Sequence, residues 1–159
     1  MKPVDAPLVA MASRDSLTPV SARGRGWRVF VDELQVSTRV GLYPYEHAAP
    51  QPVVLDASLV YRGEPSERGM HAMIDYERYC EYVTAFLATK PHTRLLETLA
   101  VELAVLSFRE WPALDALTLA LHKPKIREGT RRLGVELDWT RADYDAWCGA
   151  RGSVPSSPD

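Results

Sequence analysis

The spacing of apolar positions changes along the chain, and each change marks an element. From Trp27 to about Leu42 apolar and polar residues roughly alternate, with Val36 and Val40 set against Gln35, Ser37 and Arg39. A period of two belongs to a strand with one buried face. The break in it at Asp32-Glu33-Leu34 predicts a bulge. Gly41 to Pro50, with Tyr43-Pro44-Tyr45-Glu46-His47, reads as a loop. Val53, Leu55, Ala57, Leu59 and Tyr61 then alternate with Val54, Asp56, Ser58 and Val60, the cleanest strand in the chain and a hairpin partner for the first. Gly63 to His71 is polar and broken by Pro65 and Gly69, so it is a second loop.

Beyond that loop the period lengthens to that of a helix. Asp75 is a suitable N-cap for a helix from Tyr76 to about Thr89, with an apolar stripe of Tyr76, Tyr79, Cys80, Val83, Phe86 and Leu87. Lys90-Pro91-His92 ends it. A second helix, entered through Thr93 or Arg94, runs to about Trp111 before Pro112. Leu117, Leu119 and Leu121 then define a third strand, closed by Lys123-Pro124. After a basic loop, Leu133, Val135, Leu137 and Trp139 define a fourth. The order ββααββ predicts an α+β fold with a mainly antiparallel sheet and both helices on one face. Residues 1–26 and 142–159, rich in Pro, Gly and Ser near their ends, read as a flexible arm and a tail around a core of residues 27–141. Trp147 is placed to tie down the start of the tail.

The second helix is unusual. Leu95, Leu96, Leu99, Ala100, Leu103 and Leu106 share one broad arc at about 100° per residue, and Val101, Ala104, Val105 and Phe108 widen it. Only Thr98, Glu102 and Arg109 form a clear polar stripe. Such a helix is too apolar for one solvated face, and four strands with two helices leave its far side and one sheet face uncovered. A homo-oligomer is the expected remedy. Glu97 falls between the directions of Ala104 and Phe108, on the apolar side. A carboxylate there must be paired, must bind a ligand, or must be released by fraying at the helix start.

Composition narrows the function classes. The 159 residues suit one domain, and 19 basic against 21 acidic residues give a net charge of −2, so no general attraction to nucleic acid or membrane follows. No apolar run approaches a bilayer span, and Leu8 to Ala12 is too short for a signal-peptide core. Two distant cysteines, Cys80 and Cys148, fit a reduced cytoplasmic setting, with Cys80 as a small core residue. The four histidines, His47, His71, His92 and His122, show no zinc-ligand spacing.

Four residues carry potential chemistry. Glu46, taken alone, is a solvated loop glutamate. Tyr76, taken alone, is a packing tyrosine on the core stripe. Glu97 is either an ion-paired carboxylate, with Arg94 the nearest partner, or a desolvated functional one. Lys123 is either a charged strand end or an amine with a depressed pKa, positioned by Pro124.

Taken together the motifs resemble the dihydroneopterin aldolases of the tunnelling fold. They are Gly41-Leu42-Tyr43-Pro44-Tyr45-Glu46, the strand with Gln51 and Asp56, Ile74-Asp75-Tyr76, Leu95-Leu96-Glu97-Thr98-Leu99-Ala100, Lys123-Pro124 and Leu133-Gly134-Val135-Glu136. The resemblance spans about Val29 to Leu137. It implies a carbon–carbon lyase of folate biosynthesis that splits 7,8-dihydroneopterin into 6-hydroxymethyl-7,8-dihydropterin and glycolaldehyde, with no metal and no Schiff base. It implies Glu97 as the pterin anchor, Lys123 as general acid/base, and Glu46 beside the hydroxylated side chain of the substrate. Tyr76 would relay a proton to the enol intermediate from a neighbouring subunit. Leu96 and Leu42 would help form the apolar slot, in a ring-shaped tetramer or octamer with interfacial sites. A pterin edge offers two parallel N–H donors that suit one carboxylate, and a helix start favours the ionised form.

The chain departs from the family in three places. Glu64 to His71 replaces an acidic run, the loop after Pro124 is basic (Lys125, Arg127, Arg131, Arg132), and the N-terminal arm has no counterpart. The basic loop leaves open a phosphorylated pterin and an epimerase acting on dihydroneopterin or its triphosphate, because cleavage and epimerisation share an enol. A non-catalytic pterin-binding or structural ring is the alternative of another class, and it would need only Glu97.

Overall fold

A computed structural model describes residues 26–63, 73–124 and 126–152. The expected arm up to Arg25, the loop from Glu64 to Ala72, Lys125 and the last seven residues lie outside the described residues.

The first strand, β1 (Trp27–Thr38), pairs antiparallel with β2 (Gln51–Tyr61), from Trp27 opposite Tyr61 to Thr38 opposite Gln51. The expected bulge is present. The register shifts between Val31 and Leu34, and Glu33 takes the left-handed region at φ 59°. The bulge turns the Glu33 N–H out of the ladder, and Asp56 Oδ1 accepts it at 2.7 Å. The other oxygen of this fully buried carboxylate accepts from Arg132 at 2.8 Å, so the basic loop is tied to the sheet.

β3 (Leu114–His122) lies between β2 and β4 (Gly134–Thr140), and all three junctions of the order β1-β2-β3-β4 are antiparallel. β2 and β3 are central and buried along nearly their whole length, whereas β1 and β4 are half-exposed edges.

Helix α1 (Tyr76–Thr89) starts at Asp75, whose carboxylate accepts the N–H groups of Glu77 and Arg78. Tyr79, Val83 and Leu87 are its buried positions. Tyr79 sends its hydroxyl to Ser107 at 3.1 Å, and Ser107 donates to Leu103 O at 2.7 Å. Burial pushes the Tyr79 phenol up to about 12, so it stays a donor. Tyr76 departs from expectation. It shares the stripe of Tyr79 and Val83 in sequence, yet is 64 % exposed. Helical Cβ bonds tilt toward the N-terminus, so the side chain of the first residue projects past the packed part of the helix. Cys80, expected in the core, is half-buried.

Helix α2 (Leu96–Glu110) buries Leu99, Ala100, Leu103, Ala104, Leu106, Ser107 and Phe108. It runs antiparallel to α1, with Trp111 just beyond its end against Tyr79 and Tyr82. The main surprise follows β4. Where a tail was expected from Ala142, the chain forms a third helix, α3 (Arg141–Gly152). Thr140 and Asp143 exchange hydrogen bonds across its first turn. Arg141 caps the end of α2. It donates to the carbonyls of Phe108 at 3.0 Å, Trp111 at 2.9 Å and Leu114 at 2.8 Å, and lies over the Phe108 ring. Tyr144 stacks on Phe108 at 5.3 Å, and Trp147 meets Trp139 at 6.2 Å. The two-helix layer is therefore a three-helix layer, and part of the apolar surface of α2 is covered within the chain. Among the described residues no helix is long and apolar enough to cross a membrane.

Candidate active site

The antiparallel layout gives the molecule two ends. At one end lie the β1–β2 loop, the end of β3, the end of α1 and the start of α2. At the other lie the start of β1, the end of β2, the start of α1 and the end of α2. The candidate residues divide between them.

Glu46 sits in a short 3-10 turn, Pro44–His47, started by the fixed φ of Pro44. It is buried, contrary to the bland expectation of a solvated loop glutamate. Three donors hold it. The Tyr43 N–H reaches one carboxylate oxygen at 3.0 Å. The Gln51 amide reaches the other at 3.1 Å, while also donating to Val40 O. Lys123, just past the end of β3, forms a short ion pair with that second oxygen, and both side chains are nearly inaccessible. Gly41 makes this possible. Its φ is +146°, and a Cβ there would fall inside the Glu46 carboxyl group. Burial alone would raise the pKa of Glu46. The hydrogen bonds from Lys123, the Tyr43 N–H and Gln51 outweigh it, taking the group from its ordinary 4.5 down to about 2. The group is therefore a carboxylate at neutral pH, held against an ammonium.

The backbone beneath Glu46 is strapped to the approach to α2. Val40 and Thr93 form a parallel bridge. Gly41 N–H donates to Thr93 O, and Thr93 N–H to Arg39 O, both at 3.0 Å. The His92 ring meets Gly41 O at 2.9 Å and stacks on His47 at 3.9 Å. Gly41, Gln51 and His92 are site-building residues that their sequence positions barely signal. Gln51 only opens a strand, and His92 follows a helix-breaking Lys-Pro pair.

Glu97 is the second residue of α2 and is exposed, and its carboxylate has no hydrogen bond or ion pair to another described residue. The expected desolvation is therefore not present in the single chain. Ala104 and Phe108, about two and three turns further on, are buried, but the side of the first turn that carries Glu97 is not. Its carboxylate is open at the positive end of the helix dipole. Leu96 beside it is half-buried against the core, and Leu42 is 47 % exposed in the loop. Glu46, Lys123, Glu97, Leu96 and Leu42 thus share one end of the molecule. Tyr76 is at the other, the full 14 residues of α1 away, or about 21 Å.

The dihydroneopterin aldolase (FolB) profile matches residues 29–138. The chain belongs to the dihydroneopterin aldolase family. That family places it among the lyases of folate biosynthesis. Dihydroneopterin aldolase of Haemophilus influenzae is 27 % identical over 110 residues, covering 68 % of this chain and 92 % of the relative. A structure described as a dihydroneopterin aldolase from Vibrio cholerae superposes with a TM-score of 0.61 at 25 % identity, covering 72 % of this chain and 97 % of that one. The Escherichia coli enzyme in complex with neopterin gives a TM-score of 0.59 at 22 % identity, over 70 % of this chain and 97 % of that one. At that identity the likeness supports the fold. The matched span ends before α3, which therefore lies outside the part of the chain matched to the family.

Proposed function

We propose that this protein performs retro-aldol cleavage of 7,8-dihydroneopterin in the cytoplasm, releasing 6-hydroxymethyl-7,8-dihydropterin and glycolaldehyde. The observation that carries the reading is the buried Glu46–Lys123 pair at the end of the molecule that also presents Glu97, Leu96 and Leu42. A structural or purely pterin-binding ring has no use for an ammonium and a carboxylate held together out of solvent at some cost in desolvation.

In this reading Glu97 takes the paired N–H donors of the pterin edge, helped by the start of α2, and Leu96 and Leu42 contribute to the slot for the ring. The Lys123–Glu46 pair faces the hydroxylated side chain. A proton leaves the hydroxyl beside the scissile carbon–carbon bond and passes through a water to Lys123, as the Lys123 ammonium gives its own proton to the ring nitrogen that takes up the electrons. The bond breaks, its electrons pass into the conjugated ring, and glycolaldehyde departs. The enol left on the pterin then regains a proton at carbon, giving the hydroxymethyl product. Tyr76 supplies that proton. It cannot do so within its own chain, because α1 carries it to the opposite end. The exposed tyrosine and the open Glu97 fit together only if a neighbouring subunit brings its Tyr76 to this site, which also requires a homo-oligomer. Two unpaired sheet edges, β1 and β4, offer the means of ring closure.

The direct test supplies purified protein with 7,8-dihydroneopterin and follows both products. Release of glycolaldehyde in step with the hydroxymethyl pterin is expected. Epimerised pterin with no glycolaldehyde would overturn the reading in favour of an epimerase.

A further inference from the structure

A cavity of about 470 Å³ runs along the outer side of α2, away from the sheet. The end of α1 and helix α3 form its walls. None of the side chains that bond Glu46 lines it, although His92 and Thr93, which brace the loop beneath Glu46, form one end, and its α3 wall lies beyond the span matched to the family. Its volume is that of a small-molecule site.

The lining has a consistent chemistry. Val101, Val105 and Leu106 give an apolar floor, flanked by Phe86 and Trp147. Around this floor stand Lys90, Arg109 and Arg151, with Glu102 opposite; Arg109 is engaged by Glu110 at 3.3 Å, which leaves Lys90 and Arg151 as the cations facing the cavity. Arg151 sits over the Trp147 indole, its Cζ 4.0 Å from the ring centroid. Lys90 is a deeply buried ammonium. Two of its three N–H groups go to Arg39 O at 3.2 Å and Pro91 O at 2.6 Å. An ion pair to Glu102 spans 4.0 Å, beyond hydrogen-bond reach, and that carboxylate already accepts from Thr93 at 3.0 Å. Burial draws the pKa of Lys90 down, with Glu102 opposing, as befits an ammonium short of acceptors. An apolar floor, aromatic flanks and a surplus of cations complement a flat molecule with one negative charge.

We propose that this cavity binds a small aromatic carboxylate, its ring on the floor of Val105 and Trp147 and its charge between the buried Lys90 ammonium and the exposed Arg151 guanidinium. Val105, Trp147 and Arg151 line the cavity well along α2 from Glu97 and touch neither Glu46 nor Lys123, so ligand binding there can be read separately from turnover.

The test titrates full-length protein with 2-naphthoate by calorimetry, with uncharged 2-naphthalenemethanol as the control. A dissociation constant on the order of 1 mM or lower is expected for the naphthoate, the range a ligand of this size reaches. The alcohol should bind at least about 10-fold more weakly, since it forgoes the charge-assisted contacts. Val105→Trp, which fills the cavity from a half-buried position, should abolish naphthoate binding and leave the turnover of 7,8-dihydroneopterin unchanged. Arg151→Ala should weaken the naphthoate several-fold without affecting the alcohol. Equal binding of acid and alcohol, or naphthoate binding that survives Val105→Trp, would overturn the proposal. A change in sedimentation mass on Val105→Trp would also overturn it, by showing that another copy of the chain occupies the groove.

Discussion

At the scale of single residues, Glu46, Lys123 and Glu97 make separable demands. Lys123 meets Glu46 and no pterin-anchoring group. Lys123→Ala is therefore expected to lower kcat by about 10²-fold or more, the scale of general acid/base work, while pterin affinity stays within a few-fold. Glu97→Ala should do the opposite, weakening pterin binding more than it slows the bound complex. Equilibrium binding with single-turnover kinetics separates the two outcomes. Glu46 also leaves a mark on stability. Its pKa is lowered from 4.5 to about 2 in the fold. The stabilisation it gives is thus complete above 4.5 and is lost as pH falls toward 2, because the unfolded chain binds the proton first. Urea unfolding of the wild type and Glu46→Gln across that window should show the gap between them narrowing as pH drops; a constant gap would contradict the pair. The alternation around Val53 and Val36 made the strands legible, but nothing local announced the burial of Glu46. That burial depends on Gly41, Gln51 and Lys123 arriving from three different elements.

At the scale of elements, β1, β2, α1, α2 and β3 were legible because each repeats its period over enough residues to stand out. Even the bulge showed as a fault in the alternation at Asp32–Leu34. Helix α3 did not, since its large apolar residues are only Tyr144 and Trp147, the others are small or charged, and none of its residues is buried. The signal that would have found it is Thr140-x-x-Asp143, a reciprocal cap directly after a strand. Exposure of Tyr76 was illegible for a different reason. A stripe says which side of a helix faces the core, but not where the core ends. The anchor of α3 is Arg141, whose guanidinium serves the carbonyls that α2 and the following turn leave without partners. Arg141→Ala strips several of those acceptors at once and uncovers the Phe108 ring. A loss of roughly 2–4 kcal/mol in urea unfolding is expected, with faster amide exchange at the end of α2 and near-normal turnover at the opposite end of the molecule. Arg141→Lys should recover little, because a single ammonium cannot span the fork of acceptors.

At the scale of the whole molecule, the argument turns on distance. A helix of 14 residues separates Tyr76 from the end that holds Lys123 and Glu97, and neither half of the chemistry can cross it. If catalysis needs both, each site takes Lys123 from one subunit and Tyr76 from another. This makes a statement that a single-chain site cannot imitate. Lys123→Ala and Tyr76→Phe should each be strongly impaired as pure proteins. Unfolded together in equal amounts and refolded, they should regain activity. A site is whole only when the subunit giving the lysine side is the tyrosine variant and its neighbour is the lysine variant. Each condition is met about half the time, so roughly one quarter of sites should be intact in a closed ring with one kind of interface. Dilution that dissociates the ring should abolish the regained activity in step with the loss of mass in sedimentation. A mixture no more active than its two components would place Tyr76 outside the reaction or return the whole site to one chain, and the second outcome is the one the length of α1 forbids.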